Sequence, residues 1–273
     1  MEHINLNTKK GLSSYQIKLI AMILMVFDHI YYYFSYTNSI PIQFKWLGRV
    51  VAPLFIFISQ EGFYHTRNRV KMLSRLYISF VIMNLLNLYI PVLIPRPDNI
   101  AVMHSMFGTL FLLGIHIIIY DYISESYKNK NTSKVILGCL LMLLPSLLSI
   151  LIVYLMPILP SKLFVFILTL IPLPLFVEGS IVFIILGLLF YTFRDQKTSL
   201  AIVYTMFCIT FLPLKDLSIA SILENYQWMM IFALPIILNY NGEKGKDSKF
   251  LFYIFYPLHI YVLYVISVLT FVK

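Results

Sequence analysis

The stretch that decides the fold of this chain is SYQIKLIAMILMVFDHIYYYF, residues 14–34. Its length and apolar composition predict a membrane-spanning helix, because about 20 apolar residues are needed to cross the hydrocarbon core. Asp28 and His29 interrupt this apolar run side by side. A carboxylate near the bilayer centre costs about 2.5–3.5 kcal/mol on insertion scales, so Asp28 is expected to face a partner or a wet cavity. Ionisable groups at this depth indicate a functional site.

The composition extends the membrane prediction to the whole chain. Of its 273 residues, 60% are hydrophobic and 12% are charged, with a mean hydropathy of +0.83. A soluble domain carries about a quarter charged residues. The net charge of +9 does not indicate nucleic-acid binding, because most basic residues fall in loops, as in other membrane proteins. The predicted fold is all-α: one integral membrane domain over residues 1–273, built as a polytopic helix bundle, with a short polar N-terminus at 1–13.

Apolar runs predict nine or ten crossings. The candidate spans are 15–37, 46–65, 71–95, 101–123, 134–158, 163–193, 199–213, 218–239 and 250–272. The run 163–193 is too long for one simple span, and its Pro172, Pro174 and Gly179 predict a broken or re-entrant helix. Nine crossings with a cytoplasmic N-terminus put 15 Lys and Arg inside and 6 outside, together the 21 of the chain. The positive-inside rule therefore favours nine crossings with a cytoplasmic N-terminus.

Lys18 and His29 are predicted to share a helix face, because eleven residues make about three turns and separate them by about 16 Å along the axis. A histidine is the usual general base near neutral pH, whereas Lys18 by itself is also consistent with an interfacial anchor. Asp28 points about 100° away from His29 on a helix, so the sequence does not make it the group that orients the imidazole. Its alternative partner is Arg49 in the second span.

Basic residues follow the second span: Arg67 and Arg69 come directly after it, and Arg75 lies near the start of the third span. On the cytoplasmic side, these arginines would either hold the topology and touch anionic membrane lipids, or bind the phosphates of an acyl-CoA. Glu61 is predicted to pair with His65, because neighbours four residues apart lie on one face of a helix.

The last span holds His259 just after Pro257, at a depth where an imidazole needs a partner. Tyr256 is a candidate for a hydroxyl contact there. His104 and His116 in the fourth span are separated by twelve residues and do not have metal-ligand spacing, so the sequence predicts no metal site.

The two cysteines, Cys139 and Cys208, lie far apart inside apolar runs and form no CxxC motif. This pattern predicts thiols in the helix core rather than a metal or redox site.

The polar motifs of these spans resemble the TraX family from about residue 15 to about residue 265. The matching motifs are Lys18-Leu19-Ile20-Ala21, Phe27-Asp28-His29, Gly48-Arg49, Pro53-Leu54-Phe55, the block EGFYHTRNR at 61–69, Tyr240-Asn241-Gly242 and the block FYIFYPLH at 252–259. The blocks at 61–69 and 252–259 are the most specific, and the middle at 130–235 matches mainly in hydropathy.

The resemblance implies an acyltransferase with acetyl-CoA as acyl donor. The TraX family includes the enzyme that N-acetylates conjugative F-pilin. It is similar in turn to the wider membrane acyltransferase-3 group, where Arg-X10-His in the first span carries the reactive histidine. Here that pattern is Lys18-X10-His29. The Lys keeps the charge but loses the planar fork of Arg.

Together with the residue arguments, the resemblance assigns three sets of site residues. The catalytic set is His29, Asp28, Arg49 and Lys18; the donor-binding set is Arg67, Arg69, Arg75, His65 and Glu61; the acceptor-binding set is Tyr256, His259 and His104. His29 would act as general base, and Arg49 or Lys18 would stabilise the oxyanion. The acceptor stays open among a pilin-like peptide N-terminus, a glycan and a lipid headgroup.

Two other classes of function also place charges in membrane spans. A transporter or flippase would line a cavity with them, and a non-catalytic membrane partner would use them for assembly. A thermal shift with CoA distinguishes the acyltransferase from the transporter.

Overall fold

The structure is a computed structural model that describes residues 10–102, 105–246 and 249–271. These residues form eleven α-helices and no strand, with one isolated backbone bridge between Leu12 and Tyr240. The α-helices are α1 (Ser14–Phe34), α2 (Gln43–His65), α3 (Arg69–Leu93), α4 (Met106–Lys128), α5 (Thr132–Leu155), α6 (Ser161–Leu170), α7 (Ser180–Thr192), α8 (Lys197–Ile209), α9 (Ile219–Glu224), α10 (Leu234–Leu238) and α11 (Lys249–Phe271). Short 3-10 helices cover Ser35–Thr37 and Tyr226–Ala233. The predicted all-α fold is confirmed.

Five helices of the described residues are long and apolar enough to cross a membrane: Ser14–Thr37, Arg69–Leu93, Met106–Lys128, Thr132–Leu155 and Leu251–Phe271. They make the chain a multi-pass membrane protein by length and composition. α2 has the length of a span but also contains Lys45, Arg49 and Glu61. The apolar helices α6, α7 and α8 are shorter.

The predicted break in 163–193 is confirmed. α6 ends at Leu170 and α7 begins at Ser180, with a non-helical segment at 171–179 between them. Pro172 and Pro174 cannot donate helical hydrogen bonds, and Gly179 takes the left-handed conformation with φ +70°. The chain therefore cannot continue α6 through this segment.

The prediction of one continuous span at 218–239 was wrong. The segment consists of α9, the 3-10 helix Tyr226–Ala233 and α10. Asn225 ends α9, and Pro235 stands in the first turn of α10, where its missing N–H is tolerated.

The chain divides into two compact units. The first unit takes in the described residues of Met1–Ile58 and Lys197–His259, and the second those of Ser59–Gln196 and Ile260–Lys273. α2 and α11 each contribute residues to both units.

In the first unit, α1 and α11 run in the same direction. The Lys18 ammonium lies 5.1 Å from the ring centroid of Phe252 near the start of both helices. Further along both helices, the ring nitrogens of His29 and His259 are 3.2 Å apart. If the first and last spans are parallel, the number of crossings must be odd, which favours nine over ten.

The N-terminus of α1 is held by the loop that precedes α11. The backbone N–H of Ser14 donates to the carbonyl of Glu243 at 2.8 Å, and that of Tyr15 to Lys244 at 3.1 Å. Ser13 caps the helix in a reciprocal capping box with Gln16. These bonds satisfy N–H groups that a helix start leaves without intrahelical partners.

In the second unit, α4 packs against α3, α5 and α7. Leu113 and Ile117 of α4 are fully buried, so α4 forms the centre of this unit. α5 instead exposes most of its leucines, as a lipid-facing helix does. Cys139 of α5 is exposed, so the prediction of a core thiol is wrong there, because the residue lies among the exposed leucines of this helix. Cys208 of α8, in the first unit, is buried as predicted.

Candidate active site

His29 belongs to the buried stripe of α1. The stripe consists of Ile17, Ala21, Met25, His29 and Tyr33, which recur every four residues and therefore lie on one face of the helix. Only 9% of His29 is exposed. The imidazole is thus directed into the first unit by the same periodicity that buries its apolar neighbours.

His259 reaches the same place from α11. Its Nδ1 lies 2.8 Å from the carbonyl oxygen of Phe255, one turn earlier. The Phe255 ring stacks on the imidazole, with the ring centroids 4.9 Å apart and the planes inclined by 9°. The backbone bond and the stacked ring together hold this imidazole in one orientation. The Tyr256 ring approaches it edge-on at 6.0 Å.

The two histidines contact each other directly. Nε2 of His259 lies 3.2 Å from Nδ1 of His29, and Nδ1 of His29 is also 2.9 Å from the carbonyl oxygen of Met25. The proton of neutral His259 belongs on Nδ1, facing Phe255, which leaves its Nε2 as an acceptor. Nδ1 of His29 then faces two acceptors, so its own proton is assigned to Nδ1.

This assignment of protons leaves Nε2 of His29 unprotonated. An unprotonated imidazole nitrogen is the atom that a general base uses to take a proton. Nε2 of His29 has no hydrogen-bond partner among the described residues. His116 in α4 makes a similar bond, from Nδ1 to the carbonyl of Leu112 at 2.7 Å, but no second histidine contacts it in the described part of the chain.

Asp28 pairs with Arg49, the alternative partner that the sequence offered. Nη2 of Arg49 is 3.5 Å from Oδ1 of Asp28, and Nη1 donates to Oε1 of Gln227 at 3.1 Å. Gly48 lets the Asp28 carboxyl group lie against the α2 backbone, because any Cβ at this position would overlap that group. Asp28 therefore faces α2 and does not orient the His29 imidazole.

Two aromatic rings surround the ammonium of Lys45 on the same turn of α2. The Lys45 nitrogen lies 4.9 Å from the ring centroid of Tyr226 and 5.7 Å from that of Tyr31. The Arg49 guanidinium lies 5.6 Å from the Tyr226 ring. Lys45 makes no ion pair within the described residues. This end of the first unit is therefore rich in positive charge and aromatic surface.

In the second unit, the predicted pair of Glu61 and His65 is confirmed. Nε2 of His65 is 3.5 Å from Oε2 of Glu61, and Nε2 of Gln60 donates to Oε1 of Glu61 at 2.9 Å. Glu61 is buried, whereas His65 is exposed.

Arg69 is held by an acidic partner that the sequence analysis did not single out. Its Nη1 lies 2.5 Å from Oδ2 of Asp121, and the hydroxyl of Tyr191 donates to the same carboxylate at 2.9 Å. The Arg194 guanidinium lies 4.1 Å from the ring centroid of Tyr64 and 4.7 Å from that of Tyr191.

The other two predicted donor-site arginines have no acidic partner among the described residues. Arg67 is exposed, and Nε of Arg75 donates to the carbonyl of Lys71, one turn earlier. His104 lies outside the described residues. Within the described ranges, no group of three His, Cys, Asp or Glu side chains is arranged to hold a metal ion.

The model of the TraX protein family matches residues 13–267. The chain belongs to the TraX protein family. The matched region contains every described site residue named above, from Lys18 to His259, so the predicted resemblance is confirmed. This family assignment covers both units of the structure.

A more local similarity links this TraX family chain to a fimbrial protein. It is 40% identical over 65 residues to a protein of Dichelobacter nodosus described as probable fimbrial assembly protein FimC, serogroup H1. The match covers 23% of this chain and 27% of that protein. No solved structure matches the chain.

Several site contacts were missed by the sequence analysis. Asp121 gave a usable signal, because it is a carboxylate in the predicted fourth span and such a group needs a partner. Gln227 and Tyr226 gave none, because nothing in their local sequence distinguishes them from other polar and aromatic residues. The contact of His29 with His259 joins residues 230 positions apart, which no local pattern reveals.

Proposed function

We propose that this protein is a membrane-embedded acyltransferase that moves an acetyl group from cytoplasmic acetyl-CoA to the amine of an acceptor peptide. Membership of the TraX protein family supports the reaction class, since the family includes a pilin N-acetylase. The short match to a probable fimbrial assembly protein also favours a pilin-like acceptor. The bacterial cytoplasmic membrane and a cytoplasmic N-terminus are part of this proposal.

The observation that carries the proposal is the contact between His29 and His259. The nitrogen of the acceptor amine attacks the thioester carbonyl, and Nε2 of His29 takes a proton from that amine during the attack. The C–N bond forms, the C–S bond breaks, and the proton passes to the leaving thiolate, giving an amide and CoA. As His29 becomes charged, its Nδ1–H stays directed at Nε2 of His259 and at the Met25 carbonyl, both of which stabilise the cation.

Different positive charges serve different parts of the proposed reaction. In the first unit, Arg49 stabilises the oxyanion that develops on the thioester carbonyl. Lys18 lies about three turns of α1 away from His29 and takes no part in this step. In the second unit, Arg67 and Arg75 have guanidinium groups without an acidic partner among the described residues, and they bind donor phosphates. Arg69, which pairs with Asp121, and the pair of Glu61 with His65 belong to the same proposed donor site.

The test uses purified full-length protein in lipid nanodiscs, with acetyl-CoA and a short peptide that has a free N-terminal amine. We expect an acetylated peptide by mass spectrometry and an equal amount of free CoA thiol. His29→Gln should lower the rate by about 10²–10⁴-fold, the usual contribution of a general base. The control is His116→Gln, which removes a buried histidine of α4 and should retain the activity.

Two results would contradict the proposal. One is full activity in His29→Gln protein that is inserted and folded as the parent. The other is the absence of both a thermal shift with CoA and any acetylated peptide, which would point to a transporter or to a non-catalytic partner.

A further inference from the structure

The first two turns of α2 present hydrogen-bond donors that the described residues leave without acceptors. Nε1 of Trp46 and Nε of Arg49 are both buried and have no hydrogen-bond partner. The Lys45 ammonium makes no ion pair in the described part of the chain. Arg49 is three residues from Trp46 and four residues from Lys45, and these spacings make each of them a neighbour of Arg49 on the helix surface. Buried donors of this kind call for an acceptor that the chain does not supply.

The charge balance of this turn points to a negatively charged acceptor. Lys45 and Arg49 carry two positive charges, and Asp28 supplies one negative charge at 3.5 Å from Arg49. Nη1 of Arg49 is already used by Gln227. The Nε–H of Arg49, the indole N–H of Trp46 and the ammonium of Lys45 therefore remain as donors. Their ligand would be an anion with at least two acceptor atoms and no donor.

The enclosure of the turn favours a carboxylate on a flexible side chain. Tyr31 of α1 and Tyr226 both lie against the Lys45 ammonium, and Arg49 lies against the Tyr226 ring as well. A side-chain carboxylate can enter between these rings and accept from several N–H groups at once.

From this geometry we infer that Lys45, Trp46 and Arg49 bind a carboxylate of the acceptor, which is an acidic peptide. Asp28 links the two sites, because it pairs with Arg49 and directly precedes His29 in the chain. The inference rests on the proposed function, since it names the class of acceptor. A bound carboxylate beside Asp28 would hold the acceptor amine near the proposed base.

Trp46 is also the reporter for a binding test that needs no turnover. The chain has two tryptophans, the other being Trp228. The full-length protein in nanodiscs of zwitterionic lipid is titrated with the peptide amide Ala-Glu-Gly-Gly and with its neutral counterpart Ala-Gln-Gly-Gly. We expect a saturable change in tryptophan emission with the acidic peptide, and binding at least tenfold weaker with the neutral one. Trp46→Phe should abolish the change, and Trp228→Phe should retain it.

Lys45→Gln should weaken the binding of the acidic peptide about tenfold, whereas Lys45→Arg should keep most of the affinity of the parent. The matched control is Lys215→Gln, an exposed lysine of the same unit, which should bind as the parent does. Equal responses to the two peptides, or a response lost equally in Lys215→Gln, would overturn the inference. So would a response to vesicles containing anionic lipid in place of the acidic peptide.

The two proposals fail in different ways. Acetylation of both peptides at equal kcat/KM without a change in Trp46 emission would contradict the proposed carboxylate site and support the proposed acetyltransferase activity. Selective binding of the acidic peptide with no acetyl transfer would support the carboxylate site and contradict the proposed reaction.

Discussion

Nε2 of His259 lies 3.2 Å from Nδ1 of His29, although 230 positions separate the two residues in the chain. The contact is made by two parallel helices, α1 and α11. Backbone bonds to Met25 and Phe255 fix both imidazoles. We therefore propose that His259 positions the proposed base; the acceptor contact that the sequence analysis assigned to it stays a prediction.

The role of His259 predicts a graded response to substitution. His259→Phe removes the acceptor for the Nδ1–H of His29. It should lower kcat by about 10–100-fold, which corresponds to about 1.4–2.8 kcal/mol in activation free energy. The KM for acetyl-CoA and the KM for the acceptor peptide should change little. His259→Gln should recover part of kcat, because its Oε1 can still accept that hydrogen bond. Steady-state kinetics on the two variants measures the difference. Equal kcat in both would show that His259 only fills space.

The close approach of Gly48 to Asp28 predicts that Gly48→Ala displaces the Asp28 carboxyl group from Arg49. We expect Gly48→Ala and Asp28→Asn to lower activity to a similar degree, and the double variant to be no worse than either, because both changes disrupt one contact. The comparison variant is Gly62→Ala on the same helix, whose added Cβ would meet only the flexible end of Met72. Additive losses in the double variant would contradict this account.

In the second unit, Asp121 accepts from both Arg69 and Tyr191. Asp121→Ala leaves both donors without this acceptor and should lower the free energy of unfolding by about 1–2 kcal/mol, discounted for the partial exposure of the pair. Thermal unfolding in a fixed detergent measures the loss. Glu125→Ala, one turn further along α4 and exposed, should change the midpoint little, and an equal loss there would contradict the prediction.

The donor-site proposal separates Arg67 from Arg69. Arg67→Gln should raise the KM for acetyl-CoA by about tenfold, the effect of losing about 1.4 kcal/mol of charged contact, while the unfolding midpoint stays unchanged. Arg69→Gln should also lower the midpoint, because it leaves Asp121 without its ion pair. An unchanged KM in Arg67→Gln would remove this residue from the proposed donor site.

The loop that holds the start of α1 predicts unequal effects at two glycines. Gly242 and Gly245 both have positive φ, at +82° and +69°, so alanine at either costs about 1–2 kcal/mol of backbone strain. Only at Gly245 would the added Cβ also press on Ser13, whose Oγ would be 2.6 Å away. Gly245→Ala should therefore lower the unfolding midpoint more than Gly242→Ala does. The reverse order would show that the loop does not hold Ser13 closely.

The sequence by itself determined the helical class and the position of the break in 163–193. Apolar runs of span length such as 14–34 have few other stable structures in lipid, because every backbone polar group must be satisfied within the segment. The prolines and glycine of 163–193 were enough to predict the break there, and the i+4 spacing of Glu61 and His65 was enough to predict their pair. These features depend on local geometry alone.

The tertiary structure decided which polar groups meet across helices. His29 contacts His259, Arg69 contacts Asp121, and Arg49 contacts Gln227 through packing between segments that are distant in the chain. Helical periodicity says which face a side chain occupies, but not which other helix lies against that face. That choice depends on how the apolar surfaces of all the helices fit together, a property of the folded chain that no single stretch of sequence contains.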